Sequence, residues 1–216
     1  MFKIKTISNN NPLLNQVKIS NTDSSFKAVI FPNLGASLQQ LKYNKTEVIH
    51  GITPDEDGLA TYQTKFNSSL LFPFPSRIDN GTYSFKGKHY SLDCNEVGAK
   101  NALHGHVHNK PFTLAETILK KDFAELKMSY EDPGSSNGFP FPYKIEITYR
   151  FFNNNCQLEV NITNIGSNSF PFGIGWHPYF KTDDLKSSIL DFYAEKQHFL
   201  NEKMIPEKEI PLKIAV

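Results

Sequence analysis

Apolar residues alternate with polar ones along most of this chain, and Gly, Pro, Asn and Asp interrupt the alternation at short intervals. A period of two puts successive side chains on opposite faces, so such a run can bury one face only as a β-strand. Short runs bounded by turn residues favour antiparallel pairing, because a tight hairpin is enough to join antiparallel neighbours. Strands are expected over residues 17–19, 26–31, 37–43 and 48–50, and again over 113–119, 123–130, 143–152, 157–164 and 189–193. Residues 83–85 and 89–92 read as a hairpin around Lys86-Gly87, and the strands 143–152 and 157–164 close over Asn153-Asn154-Asn155. Helical periodicity is nearly absent. The pattern predicts an all-β chain, an antiparallel β-sandwich forming one domain over 1–216.

A chain of 216 residues with 39% hydrophobic content has enough core to fold without disulfides or a structural metal. Its 23 basic and 22 acidic residues leave a net charge of +1, which argues against nucleic acid or an anionic membrane as partner. No apolar run is long enough to span a bilayer, and the N-terminus lacks a signal-peptide core, so a cytoplasmic protein is expected. Cys94 and Cys156 lie far apart without metal-binding spacing and read as buried thiols. Residues 131–142, with Pro133-Gly134 and Gly138-Phe139-Pro140 turns, read as one long functional or packing loop.

Three segments could carry chemistry. In Leu103-His104-Gly105-His106-Val107-His108, the three imidazoles would share a face on a flat strand, a geometry zinc accepts. Gly105 argues instead for a bend or a close backbone approach, and no carboxylate stands at a ligand spacing. His177 follows Gly173 and Gly175 and precedes Pro178, which holds it out of the helical region. It is either a packed structural residue or a positioned acid/base. Arg77 follows the stiff stretch Phe72-Pro73-Phe74-Pro75-Ser76, which either leaves it at the surface or delivers its forked donors to vicinal oxygens. The many aromatic residues suit core filling, and a few could line the apolar face of a sugar.

In order along the chain, Pro32-Asn33-Leu34-Gly35-Ala36, Glu47-Val48-Ile49-His50-Gly51, Leu71-Phe72-Pro73-Phe74-Pro75-Ser76-Arg77-Ile78, Gly81-Thr82-Tyr83, Asn101-Ala102-Leu103-His104-Gly105, Gly138-Phe139-Pro140-Phe141 and His177-Pro178-Tyr179-Phe180 resemble motifs of the aldose 1-epimerase (galactose mutarotase) family. The resemblance implies a large antiparallel β-sandwich that interconverts the α and β anomers of an aldohexose, glucose or galactose, with no cofactor and no metal. It implies that His177 is the acid at the ring oxygen, and that His104 and Arg77 hydrogen-bond the sugar. A three-histidine metal site is therefore not expected.

The family's general base is a glutamate near the C-terminus, and a sugar-binding aspartate lies in its final third. Neither has a counterpart in 1–216, since Glu202, Glu207 and Glu209 precede the expected strands. The expectation is a chain missing its C-terminal strands and inactive or weakly active alone, a monomer or homodimer when complete. Should the chain be active by itself, Glu96 and Asp79 are the candidate bases. Two alternatives stay open: a sugar-phosphate mutarotase of the same family, and a non-catalytic carbohydrate-binding remnant.

Overall fold

The computed structural model describes residues 1–96 and 98–212. Five strands, β1 (Phe2–Ile7), β2 (Gln16–Asn21), β3 (Phe26–Phe31), β4 (Ser37–Tyr43) and β5 (Thr46–His50), pair antiparallel in sequence order. The helix α1 (Glu56–Lys65) follows, then the two-residue strands β6 (Leu70–Leu71) and β7 (Arg77–Ile78) and the hairpin β8 (Thr82–Phe85) with β9 (Lys88–Ser91). After β10 (Ala102–Leu103) comes a second meander, β11 (Thr113–Leu119), β12 (Phe123–Asp132), β13 (Tyr143–Phe152) and β14 (Cys156–Asn164), again antiparallel in sequence order. β15 (Gly175–Trp176) pairs with β6, and β16 (Lys196–Leu200) forms a hairpin with β17 (Pro206–Pro211).

The two meanders share one core because each presents an alternating apolar face. Along β13, Tyr143, Ile145, Ile147, Tyr149 and Phe151 are buried while the residues between them are partly exposed. They join Val17, Ile19, Phe26, Ala28 and Ile30 from the first meander in one cluster. Each large apolar side chain buried this way contributes about 1.5–3 kcal/mol. Contacts that cross between the sheets include the rings of Phe26 and Phe151, 5.5 Å apart, and the Tyr149 hydroxyl, which donates to the Ala36 carbonyl at 2.9 Å. The result is the expected antiparallel β-sandwich, with β3, β4, β11 and β13 matching their expected bounds.

Several elements depart from the expectation. β1, which is not among the expected strands, follows a Phe2, Ile4 alternation. The helix α1 was unexpected because its apolar residues are few, with only Gly58, Leu59 and Tyr62 buried. Its signal lies in its ends instead: Asp55 accepts from the Gly58 N–H at 2.8 Å, Glu56 and Asp57 sit in the first turn, and Lys65 sits in the last. Phe66 then ends the helix with φ of 54°. The strand expected over 189–193 does not form. Ile189 is 92% exposed and Tyr193 88%, with no neighbouring strand among the described residues to satisfy their backbone, and pairing begins only at β16. Cys94 and Cys156 are free thiols, but Cys94 is exposed rather than buried because it sits in the irregular stretch after β9. Among the described residues no helix is long and apolar enough to cross a membrane.

Candidate active site

The segment from Phe72 to Arg77 and the segment from Gly173 to His177 lie against each other. A Cβ on Gly173 would stand 2.9 Å from Cδ of Pro75, and one on Gly175 would stand 3.1 Å from its Cβ, so the two glycines admit the proline ring. The Gly173 N–H donates to the Pro73 carbonyl at 2.7 Å, and Gly175 and Trp176 pair with Leu71 and Leu70. His177 is then fixed through its backbone: its N–H donates to the Ser69 carbonyl at 3.0 Å, and its carbonyl accepts from the Ser68 N–H at 2.8 Å.

His104 reaches the same place from β10. Leu103 pairs with Arg77, the His104 N–H donates to the Ser76 carbonyl at 2.9 Å, and the Ser76 N–H donates back to Nδ1 of His104 at 3.0 Å. An amide N–H can only donate, so Nδ1 carries the lone pair and, in the neutral ring, Nε2 carries the proton. Both Ser76 and His104 have positive φ, 63° and 64°, the left-handed turn that closes this reciprocal pair. The His104 ring meets His177 edge to face at 5.5 Å and Phe66 at 4.9 Å. Burial is the main reason its pKa is pushed down to about 4, with His177 and Arg77 acting in the same direction and Glu96 opposing them. At neutral pH His104 is therefore an uncharged hydrogen-bond donor.

Arg77 is held from behind by Glu96. Its Nε lies 2.9 and 3.1 Å from the two carboxylate oxygens and Nη2 lies 2.8 Å from one of them, while Asn101 Nδ2 donates to Glu96 at 2.9 Å. The Arg77 guanidinium, then Asn101, hold the Glu96 carboxyl below its usual value. Nη1 of Arg77 is the nitrogen this clamp does not use. Glu96 is thus engaged with Arg77 rather than free as a base, and Asp79 lies 3.5 Å from Lys203 at the surface. The clamp was not legible in the sequence, since Glu96 and Arg77 are far apart along the chain.

The run 104–108 is not a flat strand. Gly105, with φ of 69°, brings its backbone so close to Phe72 that a Cβ would stand 2.1 Å from the Phe72 carbonyl oxygen, the close approach its position suggested. The three imidazoles consequently part. His106 Nε2 lies 3.0 Å from the Tyr143 hydroxyl, and the His108 ring meets Phe66, the ring that His104 also touches, at 5.0 Å. Of the seven histidines, then, the fold brings His104 and His177 together with Arg77 and sends the others elsewhere.

The sequence model described as aldose 1-epimerase matches residues 16–212. The uncharacterized Escherichia coli K12 protein YihR is 30% identical over 149 residues, 68% of this chain and 44% of that protein. YphB of the same organism, also uncharacterized, is 24% identical over 149 residues, covering 67% and 47%. The chain therefore spans about half the length of the curated relatives it matches. Among solved structures, a galactose mutarotase-like protein from Clostridium acetobutylicum superposes with a TM-score of 0.77 at 18% identity, over 98% of this chain and 64% of that one. The aldose epimerase homologue from Caenorhabditis elegans gives 0.66 at 16% identity, over 98% and 62%. With a family match that covers most of its length and a sandwich shared with these structures, the chain belongs to the aldose 1-epimerase family.

Proposed function

We propose that residues 1–216 carry the acid and the sugar-holding half of an aldose 1-epimerase site that acts on the anomers of an aldohexose such as glucose or galactose. A base removes the proton of the anomeric hydroxyl and an acid protonates the ring oxygen. The C1–O5 bond breaks to give the open-chain aldehyde, the C1–C2 bond rotates, and reversal of the same steps closes the other anomer. His177 is the acid in this reading. His104 is a neutral donor through Nε2 and Arg77 a donor through Nη1, and both hold the ring and its developing charge. The base is a carboxylate supplied from outside these residues, consistent with relatives about twice as long.

The observation that carries the reading is the His104–His177 pair, with rings 5.5 Å apart and the His104 tautomer set by Ser76. Binding tests it without needing the base: titration with galactose or glucose should move the ring signals of both histidines in NMR spectra. Whatever acceleration of optical-rotation relaxation the protein shows should fall on the order of 10²- to 10⁴-fold in His177→Ala. Unmoved histidine signals, or a His177→Ala protein as fast as a parent that does accelerate the relaxation, would overturn it. One observation favours a second reading, a sugar-binding module without turnover: Glu96, the carboxylate that acts on His104, is committed to Arg77 and Asn101. Binding without any acceleration would select that reading.

A further inference from the structure

His106 belongs to the histidine run but has no part in the proposed reaction, and its surroundings are ordered in a definite way. Behind it lies Asp132, which is 0% exposed. Its carboxylate accepts from the N–H groups of Gly134 and Ser135, both at 2.8 Å, from the Ser136 hydroxyl at 2.6 Å and from the Tyr130 hydroxyl at 3.2 Å. Burial raises the pKa of this carboxyl, but the hydrogen bonds from Ser136, Ser135 and Gly134 outweigh it and the net shift is downward. An ionised carboxylate only accepts, so the Tyr143 hydroxyl, 3.4 Å from Oδ2, points its proton at Asp132. The Tyr143 oxygen is left to accept from Nε2–H of His106 at 3.0 Å. That assignment makes Nδ1 of His106 a hydrogen-bond acceptor.

A cavity of about 350 Å³ opens beside His106. Its lining includes the apolar side chains of Phe74, Leu92 and Ala102 and the polar ones of Lys110, Asp93 and Asn137. The volume lies at the small end of ligand sites, enough for a single sugar-sized molecule. An anion would face Asp93 and a cation would face Lys110, while an apolar ligand would strip water from both charges without replacing it. A polyol has the complementary chemistry: each hydroxyl both donates and accepts, and the C–H face of a ring needs apolar surface. Asn95, which also lines the cavity, brackets the Leu103 backbone with bonds of 2.7 and 2.9 Å, so the cavity adjoins the segment that carries His104.

We propose that this cavity is a second carbohydrate site, separate from the His104–His177 pair, that takes one uncharged, monosaccharide-sized polyol with a hydroxyl donating to Nδ1 of His106. The test is NMR of protein labelled with ¹³C at histidine Cε1, titrated with galactose, glucose and myo-inositol, with inorganic phosphate as the charged control. The expected result is a saturable shift of the His106 signal that persists in His177→Ala. Lys110→Ala, a change at a surface-reaching side chain, should weaken it about tenfold, as should Asp93→Ala, by loss of one charged hydrogen bond each. Three results would overturn the proposal: no saturable His106 shift with any of the three polyols, a shift indifferent to both variants, or saturation by phosphate at lower concentration than by the polyols. Because the readout is the His106 signal and not rotation, failure here is distinct from failure of the His104–His177 reading.

Discussion

Glu96 clamps Arg77 through Nε and Nη2 and leaves Nη1 outside the clamp. A bidentate pair fixes a guanidinium in plane, so Glu96 acts on any ligand of Arg77 by aiming it. Glu96→Gln keeps the size but loses the charge, and it should weaken sugar binding about tenfold while leaving the fold intact. Arg77→Lys should do no better, because an ammonium cannot reproduce the fork. Isothermal titration with galactose alongside circular dichroism checks this; unchanged affinity in both variants would remove Arg77 from the site.

Gly105 has no room for a side chain. Its φ of 69° disfavours any other residue, and the Phe72 carbonyl oxygen would lie 2.1 Å from a new Cβ. Gly105→Ala should destabilise the protein by about 3 kcal/mol or more, since backbone rather than a mobile side chain must move. Urea denaturation measures it. A loss below about 1 kcal/mol would mean that the 104–106 backbone relaxes easily.

Acid should unfold this protein over a defined range. His104, His106 and His108 each have a pKa pushed down to about 4, chiefly by burial, against 6.5 for a free side chain. Between those values the unfolded chain binds more protons than the folded one, so stability rises with pH across the interval and falls as pH drops through it. Glu47 adds to the same slope. Its pKa is lowered to about 2 by Gln40, His50 and Lys181 against a burial effect, so its contribution is present above about 4.5 and lost below. Melting temperature should be flat between about pH 7 and 8 and decline steadily from about 6.5 to 4. A profile flat down to pH 5 would show that the histidines are not buried in solution.

Residues 185–193 expose Leu185, Ile189, Leu190, Phe192 and Tyr193, and β14 ends its sheet among the described residues. Open apolar surface beside a free strand edge promotes association. Residues 1–216 expressed alone should elute from size exclusion as concentration-dependent oligomers. Changing Ile189, Leu190 and Phe192 together to Ser should shift the elution toward monomer. A parent chain that is monomeric at high concentration would refute this.

What the sequence determined by itself is local. The strands 26–31, 37–43, 113–119 and 143–152 were legible to the residue, because a period of two and a turn of Asn or Gly are properties of neighbours along the chain. The helix 56–65 was missed because its evidence lies in the Asp55 cap and terminal charges rather than in an apolar stripe. The expected strand 189–193 failed for the complementary reason: its pattern is strand-like, but a strand exists only where another backbone pairs with it. Tertiary structure alone decided the site. His104, His106 and His108 are indistinguishable as a spacing, and the close packing of Gly105 on Phe72 goes with a backbone that sets His104 against His177, His106 against Tyr143 and leaves His108 on the Phe66 ring that His104 also touches. Likewise Glu96 meets Arg77 only because β10 pairs with β7 and Asn101 anchors the intervening turn, contacts set by how distant segments pack.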